Sequence, residues 1–114
     1  MIQQRKIDGH TIVINPGRKL DNSNAHEMSE VISKAQADGD KYIILDMSEL
    51  EFLSSAGVGA ILGTVGAARD MGGDIILCNL SQRIFHILEI LDLCDYLAIR
   101  HSEEEARSYC SVEG

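Results

Sequence analysis

Ser54 and Ser55 stand where a strand-forming run gives way to a helix-forming one, and this junction is the most informative stretch of the chain. Ahead of it, Tyr42-Ile43-Ile44-Leu45-Asp46 is a continuous apolar run ending in a carboxylate. Behind it, Val58, Ile61, Leu62, Val65 and Ala68 recur at helical spacing. A serine at such a place has two uses. Its oxygen can cap the helix by accepting one of the backbone N–H groups that the first turn leaves unpaired. Alternatively it can carry phosphate, because those N–H groups and the positive end of the helix dipole tolerate an anion. A phosphoserine adds roughly −1.5 to −2 units of charge and three strong acceptor oxygens. Gly57 and Gly59 leave room either for the backbone of a docking protein or for close packing against the sheet, a role that Gly63 and Gly66 would share.

Other chemistries fit less well. Gly57-x-Gly59 begins a dinucleotide fingerprint, but the third glycine position is Leu62, with Gly63 one residue late. There is no GxxxxGK[ST] loop and no GxSxG elbow. No general base is placed to activate Ser55 as a nucleophile. His10, His26, His86 and His101 are spread over separate elements without an HxxxH pair, and no metal or other cofactor is implied. Cys78, Cys94 and Cys110 are odd in number and widely spaced, so they read as small buried or half-buried apolar residues. Glu103-Glu104-Glu105 reads as a solvated first helical turn that suits the positive end of its helix.

The elements that must position the serines follow from periodicity and punctuation. Ile2 to Ile7 and Thr11 to Ile14 are two strands turned at Asp8-Gly9, and Asn15-Pro16-Gly17 stops the second. Asp21, Asn22 and Ser23 offer caps for a helix carrying Ala25, Met28, Ile32 and Ala35, which Gly39 closes. The run 42–46 is a strand covered on both faces, and Ile75-Ile76-Leu77-Cys78 repeats the pattern. The helix after Ser55 ends near Met71-Gly72-Gly73. Ser81 caps a third helix to about Leu91, whose stretch 84–91 is apolar on more than one face and so serves the core, a partner surface, or both. Tyr96 to Ile99 is a short strand, and Ser102 with Glu105 has the capping-box spacing for a final helix. The order ββαβαβαβα predicts an α/β fold: one mixed, mostly parallel sheet packed by about four helices, with right-handed crossovers.

The 114 residues suit a single domain, 1–114, with no Pro/Ser-rich linker and no repeat. The 45% of hydrophobic and 25% of charged residues are near the globular average and exclude a disordered chain. Ten Lys and Arg against 18 Asp and Glu give a net charge of −8, which argues against nucleic acid as the main partner. No apolar run approaches the ~20 residues of a membrane span, and the first residues lack a signal-peptide core, so a cytoplasmic protein is expected.

The stretch Leu45-Asp46-Met47-Ser48-Glu49-Leu50-Glu51-Phe52-Leu53-Ser54-Ser55-Ala56-Gly57-Val58-Gly59 resembles the signature of anti-sigma factor antagonists, the bacterial members of the STAS domain family. The likeness continues through Gly72-Gly73-Asp74-Ile75-Ile76-Leu77-Cys78-Asn79 and Leu88 to Leu93, and so covers essentially the whole chain. It implies a regulator without catalysis of its own. Such a protein binds an anti-sigma factor, a protein kinase of the histidine-kinase-like ATPase type, and thereby frees the sigma factor. The kinase then phosphorylates the antagonist on serine, which ends the binding, and a phosphatase reverses the mark. Carried over by position, the acceptor is Ser55, with Ser54 as the alternative. Gly57 takes the place of the motif glycine, and Asp21 is similar to the acidic residue beside the site. The expected partner-contacting residues are Asp21, Ser54, Ser55, Ala56, Gly57 and Gly59. Two positions depart from the family pattern: Ser54 stands where Asp is usual, and Ala56 where Ser or Thr is usual. Some STAS domains work unphosphorylated, as scaffolds or subunits of larger assemblies, which is the alternative function.

Overall fold

The two continuous apolar runs form the centre of a sheet, because only a strand covered on both faces can bury every side chain it carries. A computed structural model describes residues 2–113, with side chains through Cys110. The strands are β1 (Gln3–Lys6), β2 (Thr11–Asn15), β3 (Lys19–Leu20), β4 (Tyr42–Asp46), β5 (Phe52–Leu53), β6 (Asp74–Cys78) and β7 (Ala98–Arg100). The helices are α1 (Ala25–Ala37), α2 (Ser55–Asp70), α3 (Gln82–Ile90) and α4 (Glu103–Glu113). Five strands form one sheet in the order β1-β2-β4-β6-β7. Only the β1–β2 hairpin is antiparallel. The fold is therefore the expected α/β one, a mixed, mostly parallel sheet with four helices.

The two faces of the sheet are unequal. Ile12, Ile14, Ile43, Leu45, Ile75 and Leu77 point to one face and pack with Met28 and Ile32 of α1, Ile61 and Val65 of α2, and Ile84 and Leu88 of α3. Val13, Tyr42, Ile44, Ile76 and Cys78 point to the other, where, among the described side chains of α4, Ala106 and Cys110 are buried against them. This alternation is the period-two geometry of a strand.

Three details differ from the sequence reading. A second, two-stranded sheet pairs β3 with β5 in parallel, Lys19 opposite Phe52 and Leu20 opposite Leu53. Two residues per strand are too few to show a period. The start of α1 lies later than Asp21, Asn22 and Ser23 suggest. Asn24 holds the N-cap position, but its amide is used elsewhere, donating to the Lys19 carbonyl at 2.8 Å and accepting from the Asp21 N–H at 3.0 Å. The last strand begins at Ala98, because the Tyr96 carbonyl is engaged by Arg69 Nη2 at 2.6 Å instead of by a neighbouring strand. Along the stretch 84–91, Ile84 and Leu88 enter the core, as one reading expected, while Phe85, Ile90 and Leu91 are exposed.

Candidate functional site

The chain reaches the serines through a tightly tied loop. Asp46, at the end of β4, accepts from the Ser48 N–H and from Asn79 Nδ2, each at 3.1 Å. Met47 and Leu50 plug into the core, and the Arg18 carbonyl accepts from the Glu51 N–H at 2.7 Å. The β5 strand then lies beside β3, and the Ser54 N–H donates to the Leu20 carbonyl at 3.0 Å. This short ribbon fixes where α2 begins.

The two serines are not equivalent. Ser54 has extended backbone and is the N-cap; its Oγ accepts from the Gly57 N–H at 3.3 Å. Ser55 is the first residue inside the helix and is exposed. No acidic side chain occupies the first turn of α2. The positive end of this 16-residue helix therefore carries no carboxylate of its own, and its first residue, Ser55, is exposed.

The six expected partner residues lie at this helix end, with different access. Ser55 and Gly59 are exposed, Asp21, Ser54 and Ala56 are half-buried, and Gly57 is buried. A Cβ on Gly57 would lie 2.4 Å from the Leu20 carbonyl oxygen. Its missing side chain thus serves internal packing against β3, and the alternative of an opening for a partner's backbone does not apply there. Gly59, Gly63 and Gly66 show the reverse. A Cβ on any of them would meet nothing within 4 Å, so the sheet does not demand them.

Asp21 follows Leu20, just as Ser54 follows its register partner Leu53, so the acidic loop and the serine pair share one end of the ribbon. The Asp21 carboxylate accepts from Ser23 Oγ at 2.6 Å and from the Ser23 N–H at 2.9 Å. The side-chain bond, the backbone bond and then the nearby Lys19 charge hold its carboxyl below the usual range. It is a fixed negative charge at neutral pH.

Three residues here escaped the sequence reading. Phe52 is 57% exposed, and the Arg83 guanidinium stands 5.7 Å from its ring centre. Lys19 is exposed as the register partner of Phe52. The one cue in sequence was the aromatic side chain of Phe52 directly after Glu51, in the loop that leads to the serines. Among the described residues no three His, Cys, Asp or Glu side chains gather into a metal-binding set, and no helix is long and apolar enough to cross a membrane.

Known proteins are similar to this chain in sequence and in fold. BtrV of Bordetella bronchiseptica is 27% identical over 101 residues, 89% of this chain and 86% of that protein. The anti-sigma-B factor antagonist of Listeria monocytogenes is 26% identical over 104 residues, 91% of each chain. Among solved structures, the anti-sigma factor antagonist SpoIIAA in its unphosphorylated form superposes with a TM-score of 0.80 at 25% identity, covering 92% of both chains. Bacillus SpoIIAA in its phosphorylated form has the same fold, with a TM-score of 0.75 at 24% identity over 96% of this chain and 99% of that one. The mostly parallel sheet, the serine pair at the head of α2 and a match of residues 1–106 to the STAS domain model agree, and the chain belongs to the STAS domain family.

Proposed function

We propose that this chain is an anti-sigma factor antagonist whose unphosphorylated form binds an anti-sigma factor kinase and frees a sigma factor, and that phosphorylation of Ser55 ends the binding. The observation that carries the reading is the division between the serines: Ser54 Oγ is engaged as the helix cap, whereas Ser55 is exposed in the first turn. Phosphate on Ser54 would compete with the cap for the same oxygen. Phosphate on Ser55 would meet unpaired N–H groups and the helix dipole.

In the transfer step, Ser55 Oγ attacks the γ-phosphorus of ATP in the kinase. The bond from that phosphorus to the bridging oxygen breaks, ADP leaves, and the hydroxyl proton passes to a base of the kinase. The chain contributes an accessible nucleophile and a rigid helix end, so the catalytic groups belong to the partner. The product places up to two further negative charges beside ionised Asp21, on a chain already at −8. Like-charge repulsion and the cost of desolvating the phosphate in the contact weaken the complex by about tenfold for each ~1.4 kcal/mol. A phosphatase that removes the ester restores binding.

The test is incubation with ATP and the ATPase-type kinase encoded nearest to this gene, followed by mass spectrometry. The expected outcome is modification at Ser55, with Ser55→Ala still bound and Ser55→Asp released. Modification at neither serine, with Ser55→Asp bound as tightly as wild type, overturns the switch. One observation favours a second reading, a STAS interaction module that works unphosphorylated. Ser54 occupies the place of the family's usual Asp, so the carboxylate next to the acceptor is absent. That reading predicts equal binding by Ser55→Ala and Ser55→Asp.

A further inference from the structure

We propose that Lys19, Phe52 and Arg83 form the partner-selecting part of the docking surface, and that its occupant is a segment of the kinase carrying carboxylates around an apolar side chain. The inference rests on the reading of Ser55 given above and adds the chemistry of the contact.

Register and burial place these residues together. In the β3–β5 ribbon Leu20 is fully buried and Leu53 half-buried, so their neighbours Lys19 and Phe52 project side by side from the opposite, outer face. Arg83 reaches over the Phe52 ring from the first turn of α3. An aromatic ring with 57% of its surface in water is costly to leave uncovered. Its place is fixed by the same ribbon that sets the start of α2, three residues ahead of Ser55. On this proposal the kinase that reaches the Ser55 hydroxyl extends over this neighbouring face.

Charge identifies what would cover it. Arg5, Lys6, Arg18, Arg69 and Arg107 are each paired with a carboxylate. Among the described residues Lys19 and Arg83 form no such pair, nor do Lys34, Lys41 and Arg100, but of these five only Lys19 and Arg83 adjoin the Phe52 ring. Arg18 and Glu51 neutralise each other at 3.1 Å, which leaves Arg83, together with Lys19 near Asp21, as the cations flanking an exposed ring on a chain of net charge −8. An open hollow of about 520 Å³ continues from Arg83 across Leu50 to Arg18 and is lined also by Glu49 and Glu51, so it suits the apolar side chain of the segment while the carboxylates of the segment stay over Lys19 and Arg83. Carboxylates over the cations and an apolar group over the ring complement this surface. Covering Phe52 also desolvates the guanidinium against it, which strengthens the cation–π contact.

The experiment measures association and dissociation between the full chain and the same neighbouring kinase, in the absence of ATP, for wild type, Phe52→Ala and the double variant Lys19→Gln/Arg83→Gln. Phe52→Ala is expected to weaken binding about tenfold, mostly through faster dissociation. The double variant is expected to associate more slowly and to lose most of the salt dependence shown by wild type. The double variant changes only exposed side chains and keeps the test valid if Phe52→Ala perturbs the ribbon, which circular dichroism and melting would reveal. If wild type binds and Ser55→Asp releases it, yet both variants bind like wild type, this inference falls and the Ser55 reading stands. If wild type binds no kinase, both fall. A wild type that sediments as a dimer and a Phe52→Ala variant that sediments as a monomer would make the face a self-association surface and overturn the proposal.

Discussion

The hydroxyls of Ser54 and Ser55 belong to consecutive residues of one helix end, and a change of backbone conformation between them separates a structural role from an accessible one. Ser54 is still extended, so its side chain folds back to the Gly57 N–H; Ser55 is already helical, so its side chain projects outward. The change from a strand-forming to a helix-forming run made a cap legible in the sequence, but not which serine supplies it, because that depends on where β5 stops. The fit of Gly57 was equally hidden, since it depends on a carbonyl of Leu20, 37 positions away in sequence. The glycines therefore make a sharp contrast. Gly57→Ala forces a methyl group to within 2.4 Å of backbone that β3 pairing holds in place, and should cost about 1–3 kcal/mol. Gly63→Ala, on the open side of the same helix, should stabilise by about 0.5–1 kcal/mol through helix propensity. Urea denaturation of both variants checks the pair. A neutral Gly57→Ala would mean that β3 does not press on α2.

Among the elements, α4 is attached unlike the other helices. The facing strands give it Val13, Tyr42, Ile44, Ile76 and Cys78, but of its own described side chains only Ala106 and Cys110 are buried. Polar ties do the rest: Arg5 Nη2 to Glu103 Oε1 at 2.6 Å, and the Tyr109 hydroxyl to Asp74 Oδ2 at 2.6 Å. Exposed ion pairs contribute about 0–1 kcal/mol each and weaken with salt. The apolar area that α4 buries is small beside that of α1 or α2, so it should be the first helix to open. Amide hydrogen exchange should find it less protected than α2, and added salt should lower its protection further. Tyr109→Phe should deepen the difference, because Asp74 is 6% exposed and would lose one of its donors. Protection of α4 equal to that of α2 would refute this. Elements of this length were readable from capping and spacing. The β3–β5 pair was not, since two-residue strands are defined by their partners. The late start of β7 was hidden for a similar reason, because Tyr96 looks strand-like but stacks under Arg69, 4.7 Å from ring centre to guanidinium.

For the whole molecule, the sheet with three helices on one face and one on the other makes a pH dependence that no single element would show. Cys78 and Cys110 lie on the thinly covered face, one on β6 and one on α4. Burial, and then the charges of Asp46 and Glu103, push the Cys78 thiol up to about 12. Burial, then Asp8 and Asp74, push Cys110 up to about 11. Both thiols ionise near 9.0 when unfolded. The folded state therefore keeps two protons that the unfolded state releases. Their contribution is fully present below pH 9 and is lost as pH rises toward 11 and 12. Lysines and tyrosines also titrate in that range, so the informative quantity is a difference. Denaturation midpoints of wild type and Cys110→Ala, measured below and well above the free-thiol value, should converge as pH rises. Native labelling with a thiol reagent near neutral pH should modify half-buried Cys94 ahead of the other two. Once α4 opens, Cys78 loses its cover and Cys110 leaves the sheet, so both should become reactive together at the rate of that opening. Rapid labelling of Cys78 without Cys110 would show that the helix does not move as a unit.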